Sequence, residues 1–252
     1  MSRRESKRQA NHAQVREPSP EAGGFRSRWR LVAALVALIA VVGGLVAAAY
    51  FTPLISARNV EVTGATTVPS QEVLAAAQVT MGQPLLQVDT AAIAERVALL
   101  PAVESVHVVR NYPSTLTIAV TERTPVVTVP NQGKIGVMDR LGVVYLTFES
   151  AKALPKQFRG LPELQMDDPG PANPTTLAVL AVVRELPAWL GSKVVTVSAD
   201  SPSDVTLKLR SGKTVKWGDA ERTNDKAEAF RHLVMVDGTE YNVSSPEYAS
   251  VR

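Results

Sequence analysis

The chain has 252 residues, 45% of them apolar, with 27 Lys+Arg against 24 Asp+Glu and no cysteine. That length supports one or two folded domains, and the missing thiols exclude a disulfide scaffold, a cysteine nucleophile and a thiolate metal site. Charge is uneven: residues 1–30 hold eight basic side chains (Arg3, Arg4, Lys7, Arg8, Arg16, Arg26, Arg28, Arg30) and three acidic ones, whereas the other 222 residues hold 19 basic and 21 acidic, no excess that would draw a nucleic acid.

Residues 1–30 are rich in Arg, Ser, Gln, Glu and Pro, with almost no large apolar side chain before Phe25. Such a segment cannot bury enough surface to fold alone, so a disordered basic tail is expected, its cations attracted to anionic lipid. From Leu31 to Phe51 there is no charge over 21 residues, which as a helix span roughly 30 Å, the thickness of a bilayer core. Trp29, Tyr50 and Phe51 would place aromatic rings at the two interfaces, and Pro53 would end the helix. Ala47, Ala48 and Ala49 fit a signal-peptide cleavage pattern, but the apolar run starts late and exceeds the usual about 7–15 residues, so an uncut anchor is expected. Arg16, Arg26, Arg28 and Arg30 precede the span and only Arg58 follows closely, which predicts a cytoplasmic N-terminus and extracytoplasmic C-terminal domains. Ala40, Gly44 and Ala48 share a helix face suited to close packing; alanine-rich composition accounts for the spacing equally well.

Residues 54–124 read as a first module. Val60 and Val62 alternate in a strand ended by Gly64, and Pro69, Glu72, Val73, Leu74 and Ala77 suit a helix. Asp89 caps a second helix with Ile93, Val97 and Leu100 on one face, stopped at Pro101. Val106 and Val108, a turn at Asn111–Ser114, and Leu116, Ile118 and Val120 make a hairpin, with 115–123 as the candidate open edge. The order β-α-α-β-β gives an α+β sandwich of the POTRA type.

Residues 125–245 read as a second, mostly antiparallel β domain with flanking helices. Ile135, Val137, Val143 and Tyr145 are inward candidates in hairpin strands over 126–148, and five prolines make 154–174 a surface connection. Asn173 and Pro174 open a helix through Leu186, with Leu177, Leu180 and Ala181 on one side. Strands follow at 193–199, 204–210 and 213–217, then a helix at 225–236 with Ala229, Phe230, Leu233 and Val236 inward. A last strand at 240–244 puts Tyr241 and Val243 on one face, and 246–252 is a C-terminal tail.

No catalytic or cofactor pattern stands out. His12, His107 and His232 have no ligand spacing. Gly212, Lys213 and Thr214 imitate the end of a phosphate loop, but the required earlier glycine is Leu207, so a hairpin turn is expected. Neither G-x-S-x-G nor S-x-x-K occurs. Asp167 and Asp168 read as a solvated loop pair, and Asn242-Val243-Ser244, a glycosylation tripeptide, reads as strand sequence.

A single span followed by RNVEVTG, by VRNYPSTLTIAVTERTPV and by IGVMDRLGVVY resembles the bacterial cell division protein family FtsQ, also called DivIB, in which Glu122, Arg123 and Pro125 would mark the junction between a POTRA domain and a β domain. The resemblance implies a non-enzymatic scaffold of the divisome at the division septum. It implies recruitment through the POTRA domain and binding of FtsB-like and FtsL-like bitopic partners near the last strand, at Tyr241, Asn242, Val243, Ser244 and Ser245. Beyond the lipid bilayer it implies no nucleic acid, cofactor, metal or small-molecule substrate. An exposed last strand would offer unpaired backbone groups to a partner strand; Tyr241 and Val243 read equally well as contact or as core. Two alternatives stay open: an anchored cell-wall enzyme whose site no linear motif reveals, and a POTRA-bearing component of a transport assembly, although no series of lipid-facing strands follows residue 125.

Overall fold

The computed structural model describes residues 23–51 and 55–252. The leading helix, α1 (Gly23–Phe51), is among the described residues the one helix long and apolar enough to cross a membrane. Its 29 residues rise about 43 Å at about 1.5 Å each, and residues 28–47 are exposed all around it. The helix starts at Gly23, so part of the tail expected to be disordered is helical; Arg26, Arg28 and Arg30 are good helix formers that extend turns already nucleated by the apolar run. The rest of the tail, with His12, and Pro53 lie outside the described residues.

The first module runs β1 (Asn59–Thr63), α2 (Ser70–Ala77), α3 (Thr90–Ala98), β2 (Val103–Asn111), β3 (Thr115–Glu122). α2 ends where Gln78 turns left-handed at φ 48°. The Asp89 carboxylate caps α3, accepting from the backbone N–H groups of Ala91 and Ala92 at 3.0 Å. Val73, Ala77, Ile93 and Val97 of the helices pack on Leu116, Ile118 and Val120 of β3, the periodicities having separated a helix face from a strand face. β3 is the central strand, order β1-β3-β2, parallel to β1 and antiparallel to β2. The expectation that 115–123 is an open edge is therefore wrong: α2, α3 and β2 together make the long connection that the parallel pair β1/β3 requires, so β3 inserts between β1 and β2 and leaves those two outermost. Gly64 permits that approach, since at φ +78° a Cβ there would lie 2.1 Å from the Val120 carbonyl oxygen.

The second module adds β4 (Pro125–Asn131), β5 (Lys134–Asp139), β6 (Val144–Phe148), β7 (Glu163–Gln165), α4 (Pro174–Glu185), α5 (Ala188–Gly191), β8 (Val194–Ala199), β9 (Val205–Leu209), β10 (Thr214–Gly218), α6 (Thr223–Leu233), β11 (Glu240–Asn242) and β12 (Ser250–Val251). These strands form one mixed nine-stranded sheet in the order β12-β11-β10-β9-β8-β7-β4-β5-β6. Two differences from the pattern reading stand out. The proline-rich stretch 154–174 supplies β7, which fills the centre of the sheet parallel to both β4 and β8; three residues are too few to show alternation. Its Leu154 and Phe158 cover Val137 in a small separate core. Asn173 caps α4 as expected, accepting from Thr175 and Thr176, but the buried face is Thr176, Val179, Leu180 and Val182, with Leu177 exposed. Gly212, at φ +84°, makes the β9–β10 hairpin turn.

Candidate functional site

Glu122, Arg123 and Pro125 sit where β3 of the first module passes into β4 of the second, and each has a separate task. The Glu122 carboxylate folds back on its own module, accepting from the backbone N–H groups of Thr66, Thr67 and Val68 at 2.7–2.8 Å and from the Thr66 hydroxyl at 2.9 Å. Desolvation pushes its pKa up, but the backbone bonds from Val68 and Thr67 and both bonds from Thr66 outweigh that and hold it at about 2. The Arg123 guanidinium bridges the modules, donating to the Pro101 carbonyl at 3.2 Å and to Asp139 Oδ2 at 2.5 Å. Asp139, fully buried, also accepts from the N–H groups of Leu141 and Val143 at 2.9 Å. A second ion pair, Arg140 with Glu104, joins the β5–β6 turn to β2.

Beside this joint lies a hollow of about 450 Å³ lined by Pro125, Tyr145, Leu146, Phe148 and Phe158, with Glu122 and Arg123 at its polar end. Burial, with the Asp139 charge behind it, pushes the Tyr145 phenol above its usual range. Both charged groups of the hollow are already engaged in the bonds just described, so the arrangement holds a joint and presents no poised acid or base. Among the described residues no group of three or more His, Asp or Glu could hold a metal. His107 lies in β2 and His232 in α6, in different modules.

The C-terminal segment was expected to end in an open strand at 240–244. Residues Glu240–Asn242 do form β11, but it is paired on both sides, parallel to β10 and antiparallel to β12. The outermost strand is Ser250–Val251, within the stretch read as a tail; a turn at Pro246–Tyr248 folds it back. Tyr241 and Val243 are wholly buried. The Tyr241 ring meets Phe230 edge-on, with centroids 5.6 Å apart, and its hydroxyl accepts from Lys213 Nζ at 2.7 Å and lies 2.9 Å from the Val236 carbonyl. These contacts make Tyr241 a core anchor, as its sharing a face with Val243 permits. Asn242 is half-buried and accepts from the Ser244 N–H and hydroxyl, while Ser244 and Ser245 are exposed.

Among the described residues, the free edge at this end of the sheet is therefore carried by β12. Arg252 exchanges two backbone bonds with Glu240, at 2.8 and 3.0 Å. Antiparallel pairing alternates, so the N–H and C=O of Val251 point away from β11 toward solvent. Tyr248 (86% exposed) lies in the turn before β12 and Met235 (85%) between α6 and β11, and Glu247 beside Tyr248 is ion-paired to Arg222 at 2.6 Å. Pattern reasoning missed Ser250 and Val251 because two residues after a proline show no periodicity; the one available signal was an apolar Val251 past the Pro246 turn.

Comparison with known proteins agrees with this architecture. Residues 55–123 match the POTRA domain, FtsQ-type, and residues 127–251 match the cell division protein FtsQ/DivIB C-terminal family. Relatives named cell division protein FtsQ occur in Mycolicibacterium smegmatis (44% identity over 220 residues, 87% of this chain and 63% of the relative), Mycobacterium bovis (40% over 255 residues, 100% and 79%) and Corynebacterium glutamicum (32% over 224 residues, 88% and 96%). The chain thus spans under two thirds of the length of the first of these and about four fifths of the second. With both modules matched in order and across their junction, the chain belongs to the FtsQ/DivIB family of cell division proteins.

Proposed function

We propose that this chain is a non-enzymatic, single-pass membrane scaffold of the divisome that holds FtsB-like and FtsL-like bitopic partners on the extracytoplasmic side during septum formation. α1 is the anchor, and the Arg residues before it favour a cytoplasmic N-terminus. The POTRA module serves recruitment by other membrane proteins of the machinery. The observation that carries the reading is the open C-terminal edge of the nine-stranded sheet: β12 is paired on one side only, and its Val251 backbone groups face outward. An incoming partner strand would complete the ladder there. Asn242, Ser244 and Ser245 supply polar contacts beside that edge, whereas Tyr241 and Val243 act from within the core by holding β11, and through it β12, in place.

Val251→Pro tests this. The Val251 N–H makes no bond to β11, so proline there removes a donor only from the partner, at an edge position that tolerates it. The expected result is loss of capture of an FtsB-like extracytoplasmic segment by the full chain with unfolding temperature unchanged; undiminished capture would overturn strand addition at this edge.

A further inference from the structure

The end of the first module next to α1 carries an apolar surface that partner binding at β12 does not use. Gln87 Nε2 donates to the Tyr50 carbonyl at 2.6 Å, in the last turn of α1. α1 ends at Phe51, and by Ser56 the chain is already fixed to the same loop of the module. Ser56 bridges Pro84, the Ala57 N–H donates to the Gln83 carbonyl at 2.9 Å, and the Gly82 N–H donates to the Ala57 carbonyl at 2.8 Å. The β2–β3 turn lies at this end too. The backbone N–H groups of Arg58 and Asn59 donate to the Ser114 carbonyl, and the Arg110 guanidinium reaches the Leu85 and Val88 carbonyls at 2.9 and 2.8 Å.

On these segments three large apolar side chains are exposed: Met81 (56%), Leu86 (39%) and Tyr112 (56%). No charged residue occurs between Glu72 and Asp89, and the Asp89 carboxylate is turned onto the start of α3. A surface meeting anionic headgroups would need that freedom from carboxylates. Tyr50 closes an apolar run as long as a hydrocarbon core, about 30 Å, which puts its carbonyl at the headgroup level. A side chain one hydrogen bond away from that carbonyl is at the same depth.

We infer that Met81, Leu86 and Tyr112 dock on the outer surface of the bilayer, at the boundary of headgroups and acyl chains, so that the first module lies on the membrane instead of swinging from a tether. The inference rests on α1 being a membrane anchor. Amphipathic surfaces with Leu and aromatic side chains occupy this boundary, and Tyr is enriched there.

Because the chain has no cysteine, single substitutions give uniquely labelled proteins. Met81→Cys, Leu86→Cys, Ala40→Cys and Leu99→Cys would each carry a polarity-sensitive fluorophore on the full chain. The chain is reconstituted alone in phosphatidylethanolamine/phosphatidylglycerol nanodiscs containing spin-labelled lipid, shallow or deep. Leu99, 81% exposed and next to the Leu100–Val103 turn at the opposite end of the module, is the control. Labels at 81 and 86 should shift to the blue and lose emission to the shallow quencher, the label at 40 should lose it to the deep one, and the label at 99 only to aqueous iodide. Iodide access at 81 and 86 equal to that at 99, with 40 still lipid-quenched, overturns docking and leaves the anchor standing. Iodide access at 40 overturns the anchor itself. Labels at 81 and 86 shielded from both iodide and lipid quenchers overturn docking in favour of contact between protein surfaces.

Discussion

Arg123→Ala would remove the side chain that ties the two modules and leave Asp139, which has no accessible surface, without its cation. Breaking a fully buried pair by deleting one partner costs about 3–5 kcal/mol. Here the arginine side chain is 18% exposed and the Leu141 and Val143 N–H groups still bond Asp139, which lowers the expectation to about 2–3 kcal/mol. For a module of the size matched by residues 127–251, that is a fall of about 10 °C in Tm. Asp139→Asn keeps one oxygen for the two N–H groups and removes the charge, at a cost of about 1 kcal/mol. In the double variant nothing charged is stranded, so its cost should fall short of the sum by about 1–2 kcal/mol. Unfolding of the full chain in detergent, followed through Trp189 and Trp217 of the second module, reads all four proteins. A single Arg123→Ala variant within about 0.5 kcal/mol of the parent, or strict additivity, would refute the view of Arg123–Asp139 as a buried coupled joint.

Glu122→Gln keeps the shape of the cap and removes its charge. Because the carboxyl titrates at about 2 instead of its usual 4.5, its stabilisation is complete above the higher value and is lost as pH falls toward the lower; melts across the acid range should show a flatter acid limb in the variant. Asp219→Ala strands the buried Lys226 ammonium, which bonds Asp219 Oδ1 at 2.6 Å, and should cost about 2 kcal/mol since Asp219 is half exposed, whereas Lys226→Met should stay within about 1 kcal/mol of the parent by denaturant titration. Gly238→Ala would place a Cβ 2.4 Å from a Val251 methyl and 2.8 Å from the Arg252 carbonyl oxygen. It should detach β12, seen as faster amide exchange at 250–252, and weaken partner capture while the Tyr241 core stays folded.

The legible parts of this fold were those where a period runs long enough to be distinctive. The α1 run, the Ile93/Val97 face, the Asp89 and Asn173 caps and the Leu116/Ile118/Val120 alternation each repeat a physical constraint over several residues. β7 and β12 were not legible, since three and two residues between prolines and turns show no period. Their strand character comes from neighbours: β7 is held between β4 and β8, and β12 by the Glu240–Arg252 bonds. The candidate site suffered from the same limit. Tyr241 and Val243 share a strand face, and sharing a face is equally consistent with core and with contact; only the presence of β12 outside β11 decides between them. The inward face of α4 was displaced for a related reason, because a largely apolar helix does not say which of its stripes meets the sheet.

If a partner strand adds at β12, as proposed above, the joints along this chain bear on how so short an edge would select it. β12 offers little more than the Val251 N–H and C=O, and a few backbone bonds specify register weakly, since a two-residue slip, about 7 Å along a strand, restores the same pattern. A partner that is itself anchored in the membrane approaches at a height fixed by its own span. If the edge also stands at a fixed height, a slipped register stretches or compresses the partner and is disfavoured without any further contact. Three polar joints act in that direction. Gln87 bonds the last turn of α1 at Tyr50, Glu122 pins the loop that enters α2, and Arg123 with Asp139 locks the first module to the second. Loosening any of them should therefore broaden the registers a bitopic partner adopts at β12 before it reduces affinity, so cysteine cross-linking along that strand would separate a scaffold that measures distance from one that merely holds on.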